Sequence, residues 1–220
     1  MSVLAPTIIR VLIADDHAIV REGLKQIIGD GGNLVVAGEA DTGQQAIQRV
    51  RAGDIDVLLL DISLPDRNGI DILKQLKKEF PSLAVLMLTM HREDQYAIRA
   101  MKAGASGYLN KQSAPAELVT ALREVAHGRK YISAALAQEL ANRIGSDSAH
   151  ALHESLSDRE YQTLVMIASG KTVGEIADEL SLSVKTISMY RSRLLQKMKM
   201  RHNADLTHYA IRNQLVPDMT

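Results

Sequence analysis

The run Val57-Leu58-Leu59-Leu60-Asp61 indicates the fold class of this chain. Four aliphatic residues that end in an acid are typical of a strand buried on both faces of a parallel sheet. Similar short apolar runs occur at 8–14, 34–37, 84–89 and 107–109. Amphipathic stretches of helical period lie between them, at about 18–29, 43–52, 69–79, 94–103 and 115–127. This alternation predicts an α/β doubly wound, five-stranded parallel sheet.

The composition excludes several classes of protein. The 220 residues contain 26 Lys and Arg against 26 Asp and Glu, which excludes a uniformly basic nucleic-acid binder. There is no Cys, so disulfide scaffolds, thiolate metal sites and Cys nucleophiles are excluded. The longest aliphatic run near the middle of the chain is far shorter than the roughly 18–20 residues of a membrane span, and the first residues lack the pattern of a signal peptide. We therefore expect a cytoplasmic protein without a membrane segment.

The last third of the chain follows a different pattern. No strand pattern appears after residue 155, and four short helices are predicted, starting near Ser157, Thr172, Val184 and Asn203. The second and third are joined by the short turn 181–183, which is typical of a small all-α helix-turn-helix domain. We expect a first domain at 1–128, a linker at 129–154 with a short helix near 133–143, and the helical domain at 155–220.

Polar side chains follow the predicted strands of the first domain where each strand ends. They are Asp15, Asp16, Asp61, Thr89 and Lys111. Because ligands of parallel sheets bind outside the carboxyl ends of the strands, we expect these five to converge. Three close carboxylates repel one another unless a cation lies among them, and ligation by oxygen alone suits Mg²⁺. With a Lys and a hydroxyl beside the metal, the set predicts a phosphoryl site with one carboxylate as nucleophile.

His17 directly follows the acidic pair. We interpret it as a loop or first-turn residue and not as a metal ligand, because a single His beside a helix start is more often structural.

Four motifs carry a resemblance to a known family. They are Asp15-Asp16, the stretch 60–65 with Gly69, Leu88-Thr89, and the stretch 103–111. In order and spacing they resemble the receiver domain of bacterial response regulators, a flavodoxin-like fold. The resemblance implies that Asp61 is the phospho-acceptor. It also implies that Mg²⁺ is held by Asp16, Asp61, the carbonyl of Ser63 and, through water, Asp15.

The same resemblance assigns the remaining residues of the predicted site. Thr89 and Lys111 would bind phosphoryl oxygens, and Tyr108 would be the aromatic switch that turns inward when Thr89 moves. Many receivers have Pro directly after the Lys, whereas Gln112 stands here. A cis bond before a residue other than Pro costs about 2.5–4 kcal/mol, so we expect a trans bond between Lys111 and Gln112.

A basic segment lies in the helical domain. Residues 181–201 contain no acid and six bases, namely Lys185, Arg191, Arg193, Lys197, Lys199 and Arg201. On a helix from Val184 an apolar stripe consists of Val184, Ile187, Leu194, Leu195 and Met198. The opposite face carries small and polar side chains bordered by cations, a pattern that suits the major groove of DNA.

This segment resembles the LuxR-type helix-turn-helix, and a receiver followed by that module is the NarL/FixJ type of response regulator. The resemblance implies base contacts by Ser188, Met189 and Ser192. It implies DNA-backbone contacts by a second set, Lys185, Thr186, Arg191 and Lys197. It further implies a two-component transcription regulator that is not an enzyme, is phosphorylated by a sensor histidine kinase, and binds double-stranded promoter DNA as a homodimer. RNA polymerase is a further candidate partner.

Two alternatives come from other classes of protein. A Mg²⁺-dependent phosphatase with an aspartyl nucleophile would share the acidic site. Such enzymes usually carry an Asp-x-Asp arrangement on the first strand, where this chain has adjacent Asp15 and Asp16. A receiver that serves only as a dimerisation scaffold is the second alternative, and the intact set of five polar residues argues against it.

Overall fold

The computed structural model describes residues 7–89, 94–133, 137–138, 151–213 and 215–216. It divides into two compact units, Met1–Glu139 and Leu140–Thr220. Most of the short helix predicted near 133–143 lies outside the described residues, so that prediction stays open.

The first unit is built on a five-stranded sheet in the order β2-β1-β3-β4-β5. The strands are β1 Ile9–Ala14, β2 Leu34–Ala40, β3 Val57–Asp61, β4 Ala84–Thr89 and β5 Gly107–Asn110. Every neighbouring pair is parallel. The helices are α1 Ala18–Gly29, α2 Gly43–Arg51, α3 Gly69–Glu79, α4 Asp94–Lys102 and α5 Ala114–Ala126. The predicted doubly wound parallel fold is confirmed.

The core forms because the central strands are apolar on both faces. All residues of β3 and β4 are buried. On one face, α1 and α5 cover alternate strand residues such as Val11, Leu59 and Leu86, against which Leu24 and Leu118 pack. On the other face, α2 packs on α3 and α3 on α4. With both faces covered, the carboxyl edge of the sheet is the part of the strands left for polar residues.

The free edge of β5 is partly covered by the chain that follows α5. Tyr131 forms a parallel bridge with Gly107. The backbone N–H of Tyr131 donates to the carbonyl of Ser106 (3.0 Å), and the N–H of Tyr108 donates to the carbonyl of Tyr131 (3.0 Å). A Cβ at position 107 would lie 2.8 Å from the Tyr131 carbonyl oxygen, so Gly107 permits this close approach. The sequence pattern gave no sign of this bridge.

The second unit is helical, as predicted. Its described residues form a 3-10 helix at Leu152–Ser155 and four α-helices, which are α6 Asp158–Ala168, α7 Val173–Glu179, α8 Val184–Met198 and α9 Asn203–Arg212. Capping boxes begin α6 at Ser157 and α7 at Thr172, and the Ser183 side chain accepts the N–H of Thr186 at the start of α8. α8 ends at Met198, because Lys199 adopts a left-handed conformation (φ 56°).

The helices of the second unit pack through a small aliphatic core. Its buried members include Leu164, Ile176, Ile187, Leu194 and Leu206. None of the helices within the described ranges combines the length and hydropathy that a membrane crossing requires.

Candidate functional site

The carboxyl edge of the sheet brings together side chains from separate strands. Asp15 follows β1, Asp61 ends β3, Thr89 ends β4, and Lys111 follows β5. The Nζ atom of Lys111 lies 2.6 Å from Oδ2 of Asp15 and 2.8 Å from Oδ2 of Asp61. The carboxylates are buried, with side-chain exposures of 0% for Asp15 and 3% for Asp61. Residues that are 50 and 96 positions from Lys111 therefore meet at a single ammonium group.

Burial and neighbouring charges have opposing effects on the pKa values of Asp61 and Lys111. Burial raises the pKa of Asp61, the Lys111 ammonium opposes that shift, and the nearby Asp15 carboxylate adds to it, with a raised pKa as the result. Burial alone would lower the pKa of Lys111, but the Asp61 and Asp15 carboxylates outweigh it and raise that pKa. The site therefore holds a firmly protonated amine against two buried carboxyl groups, an arrangement that favours further positive charge.

Asp16 and His17 complete the acidic cluster. Nδ1 of His17 lies 2.6 Å from Oδ1 of Asp16 and 3.4 Å from Oδ1 of Asp15. One ligand atom from each of Asp15, Asp16, His17 and Asp61 lies within 4.8 Å of all the others. His17 is the N-cap residue of α1, in keeping with our interpretation of it as a helix-start residue. The sequence alone did not indicate that the His17 ring reaches the acids.

The donor set of this cluster fits a hard divalent cation. Three carboxylates supply oxygen ligands, which Mg²⁺ prefers. Asp15, Asp16 and Asp61 are thus able to hold a metal ion.

The loop after β3 is held tightly at its base. Ser63 and Asn68 form an antiparallel bridge, and the N–H of Gly69 donates to the carbonyl of Ile62 (2.8 Å). The backbone of Ser63 also hydrogen-bonds the Asp61 carboxyl group. A Cβ at position 69 would lie 2.2 Å from the backbone oxygen of Asp61, so only Gly allows α3 to start this close to the end of β3.

The ends of β4 and β5 are joined beside the acids. The N–H of Lys111 donates to the carbonyl of Thr89 (2.8 Å). Thr89 is 1% exposed and Tyr108 is 8% exposed. The described residues contain no cis peptide bond, so the bond between Lys111 and Gln112 is trans, as expected.

A second surface of interest lies on α8. Lys185, Ser188, Met189 and Ser192 are exposed, with Met189 40% exposed. Thr186 is half-buried, and its Oγ1 lies 2.8 Å from Oγ of Ser183. The predicted outward face is therefore built mainly of small and unbranched side chains.

Two of the cations on α8 have partners within the same unit. Nε of Arg191 donates to Oδ1 of Asn203 (2.6 Å), and Nζ of Lys197 lies 2.6 Å from Oε2 of Glu160. Burial alone would raise the pKa of Glu160, but hydrogen bonds from Lys197 and from Ser157 outweigh it and lower that pKa. Lys197 is therefore bound to a carboxylate that is 4% exposed, which the charge pattern did not reveal.

The apolar stripe predicted for α8 is correct except at its first position. Ile187, Leu194 and Met198 are buried, and Leu195 is half-buried. Val184 is 55% exposed, so its assignment to the stripe was wrong. It is the first residue of the helix, and its side chain points back beyond the packed turns because Cα–Cβ bonds tilt toward the helix N-terminus.

Two family models match the chain. Residues 11–123 match the response regulator receiver domain, and residues 154–210 match the luxR family of bacterial regulatory proteins. The chain belongs to the bacterial response regulators of the NarL/FixJ type. Proteins of this class are phosphorylation-dependent, DNA-binding transcription regulators and are not enzymes, which removes the phosphatase alternative.

Whole-chain relatives agree with this assignment. Response regulator UvrY of Escherichia coli O6:H1 is 39% identical over 208 residues, covering 94% of this chain and 95% of the relative. Response regulator GacA of Pseudomonas aeruginosa is 36% identical over 209 residues, covering 94% and 98%. A solved structure of the RcsB response regulator of Salmonella typhimurium has a TM-score of 0.66 and 29% identity, covering 92% of this chain and 96% of that one.

Proposed function

We propose that Asp61 of this response regulator accepts a phosphoryl group from the phosphohistidine of a sensor histidine kinase. The observation that carries this proposal is the Lys111 ammonium bound to both Asp15 and Asp61 at the carboxyl edge of the sheet. A carboxylate oxygen of Asp61 would form a bond to phosphorus while the P–N bond to the imidazole breaks. Lys111 and the hydroxyl of Thr89 would bind the transferred oxygens.

The same proposal includes a Mg²⁺ ion. Asp16, Asp61 and the carbonyl of Ser63 would hold it, and Asp15 would do so through water. When bound, Mg²⁺ supplies the positive charge that offsets the phosphoryl oxygens. The support for it is the convergence of the three carboxylates in one cluster.

We propose that phosphorylation is read out at the ends of β4 and β5. A phosphoryl group adds about −1.5 to −2 charges at Asp61, which attracts Lys111 and Thr89. Tyr108 would follow Thr89 as the switch residue. The backbone hydrogen bond between Lys111 and Thr89 supports a joint movement of the two strand ends.

For the second unit, we propose that a homodimer binds double-stranded promoter DNA in the cytoplasm. Ser188, Met189 and Ser192 would contact bases. Phosphate contacts would come from Lys185, Thr186, Arg191 and Lys197. Solved RcsB structures include a complex with DNA at 30% identity and a TM-score of 0.59, and two dimers bound to two DNAs at 29% identity and a TM-score of 0.59. These complexes are of RcsB, and they support the proposal because the fold is shared.

Within this scheme we propose a receiver domain at 1–128, a linker at 129–154 and a DNA-binding domain at 155–220. RNA polymerase is the partner we propose for the DNA-bound regulator. The Tyr131 bridge to β5 shows that the first residues of the proposed linker also pair with the sheet.

The test combines labelling with footprinting. The chain is incubated with Mg²⁺ and acetyl phosphate, and its intact mass is measured beside that of Asp61→Asn. We expect an added phosphoryl group that is labile in base, absent from Asp61→Asn, together with stronger protection of promoter DNA by the labelled protein. Stable labelling of Asp61→Asn, or DNA protection that ignores phosphorylation, would contradict the proposal.

A further inference from the structure

Asp66 lies at the outer tip of the loop between β3 and α3 and hydrogen-bonds the first turn of α2. Its Oδ1 accepts the backbone N–H of Gly43 (2.7 Å), and its Oδ2 accepts that of Gln44 (2.9 Å). Both N–H groups belong to the first turn of α2, where backbone donors have no partner within the helix and the helix dipole is positive. Two charge-assisted hydrogen bonds therefore fasten this loop to α2.

The contact is made close by Gly43. A Cβ at that position would lie 2.3 Å from Cδ1 of Ile72 on α3 and 3.3 Å from Oδ1 of Asp66. The first turn of α2 thus lies directly against both α3 and the loop tip.

A chain of hydrogen bonds holds the other side of the tip. Nη1 of Arg67 donates to Oε1 of Gln75 (2.7 Å), and Nε2 of Gln75 donates to Oε1 of Glu79 (2.9 Å). Glu79 receives two hydrogen bonds from Arg51 at the end of α2 (2.9 and 2.8 Å). The loop tip is therefore joined to α2 at both helix ends, directly through Asp66 and indirectly through α3.

The base of this loop carries the groups that our proposed function uses. Ser63 pairs with Asn68 across the loop, and its backbone hydrogen-bonds the Asp61 carboxyl group. Asp66 lies between the two paired residues, so the position of the tip fixes how the Ser63 carbonyl is presented.

We propose that Asp66 is a positioning residue for phosphoryl transfer. It holds the loop so that the Ser63 carbonyl and the Asp61 carboxylate stay aligned for the cation, although Asp66 itself touches neither. This inference rests on the proposed function of Asp61 and deepens it. Outer residues that orient metal ligands typically account for about 10- to 100-fold in metal affinity or activity.

The test compares Asp66→Ala with Thr42→Ala. Thr42 caps the same helix, with its side chain accepting the N–H of Gln45 (3.3 Å), and within the described residues this side chain makes no hydrogen bond to the loop. Mg²⁺ affinity is measured by calorimetry without phosphodonor, and the initial rate of labelling by acetyl phosphate is measured across Mg²⁺ concentrations. Thermal unfolding shows how much stability each variant has lost.

We expect Asp66→Ala to weaken Mg²⁺ binding and to slow labelling by about 10-fold or more. Thr42→Ala should stay within about twofold of the wild type, because it leaves the loop in place. Asp66→Asn keeps one acceptor oxygen, so it should fall between the two and provides a second variant if Asp66→Ala does not fold. Equal Mg²⁺ affinities of Asp66→Ala and Thr42→Ala would overturn the inference. A wild-type chain that binds Mg²⁺ but takes up no phosphoryl group would instead refute the proposed function.

Discussion

Gly69→Ala should disable the acceptor site through the backbone alone. The new Cβ would lie 2.2 Å from the backbone oxygen of Asp61 and 2.9 Å from Cα of Ile62. Non-bonded heavy atoms prefer about 3.5 Å, so the end of β3 and the start of α3 must separate by on the order of 1 Å. Neither contact atom belongs to a flexible side chain that could move aside.

Two magnitudes follow from that displacement. Forcing extra volume into a packed site costs about 1–3 kcal/mol of the free energy of unfolding. A misplacement of about 1 Å at a reacting group costs on the order of 100-fold in rate. We therefore expect labelling of Asp61 by acetyl phosphate to slow by roughly two orders of magnitude, while urea unfolding shows a stability loss of about 1–3 kcal/mol.

Gly23→Ala is the matched control for this prediction. Gly23 lies on the exposed side of α1, and a Cβ there would meet no atom within 4 Å. In a helix interior the change from Gly to Ala stabilises by about 0.5–1 kcal/mol, so Gly23→Ala should unfold at a higher urea concentration than the wild type. Because no atom is displaced, its labelling by acetyl phosphate should keep the wild-type rate. A Gly69→Ala chain that labels at the wild-type rate would show that the tight start of α3 does not position Asp61.

Three further predictions concern other parts of the molecule. The pKa of Glu160 is depressed below its ordinary 4.5. The contribution of Glu160 to stability is therefore present above about pH 4.5 and is lost as the pH falls through the lower pKa of the folded state. Glu160→Gln should flatten that acid dependence in urea unfolding followed by far-UV circular dichroism. Burial and the Glu117 carboxylate raise the pKa of Tyr131 to about 12, so the contribution of Tyr131 to stability is present below pH 10.0 and is lost as the pH rises toward 12. Glu117→Gln should lower the pKa of Tyr131, measured as the difference between absorbance titrations with and without Tyr131→Phe. In DNA binding, Lys185→Ala should reduce the slope of log affinity against log salt by about 1. Lys197→Ala should change that slope less and the free energy of unfolding more, because Glu160 already pairs with Lys197. Equal slopes for the two variants would contradict this reasoning.

Most of the fold could be predicted because the spacing of hydrophobic residues in each segment matches the face that the segment buries. The aliphatic run of β3 cannot expose either face, and some helices begin at a recognisable cap, such as Ser157 with Glu160. The bridge between Tyr131 and Gly107 could not be predicted, because one residue paired with an edge strand has no period. The exposure of Val184 was also missed, because a helical wheel treats the first residue like those in the middle.

At the candidate site, the sequence shows which residues lie at the strand ends. It does not show which other residues hold those side chains in position. Asp61 and Lys111 were predictable because topology alone sends the ends of parallel strands to one edge. Asp66 was not, since an acid in a polar loop is ordinary until its oxygens are found on the N–H groups of Gly43 and Gln44. The same limit applies to α8. Its charge pattern indicates a basic face but does not show that Lys197 forms an ion pair with Glu160 on α6. Positioning contacts are pairwise and long-range, and for this reason they are the part of a site that requires coordinates.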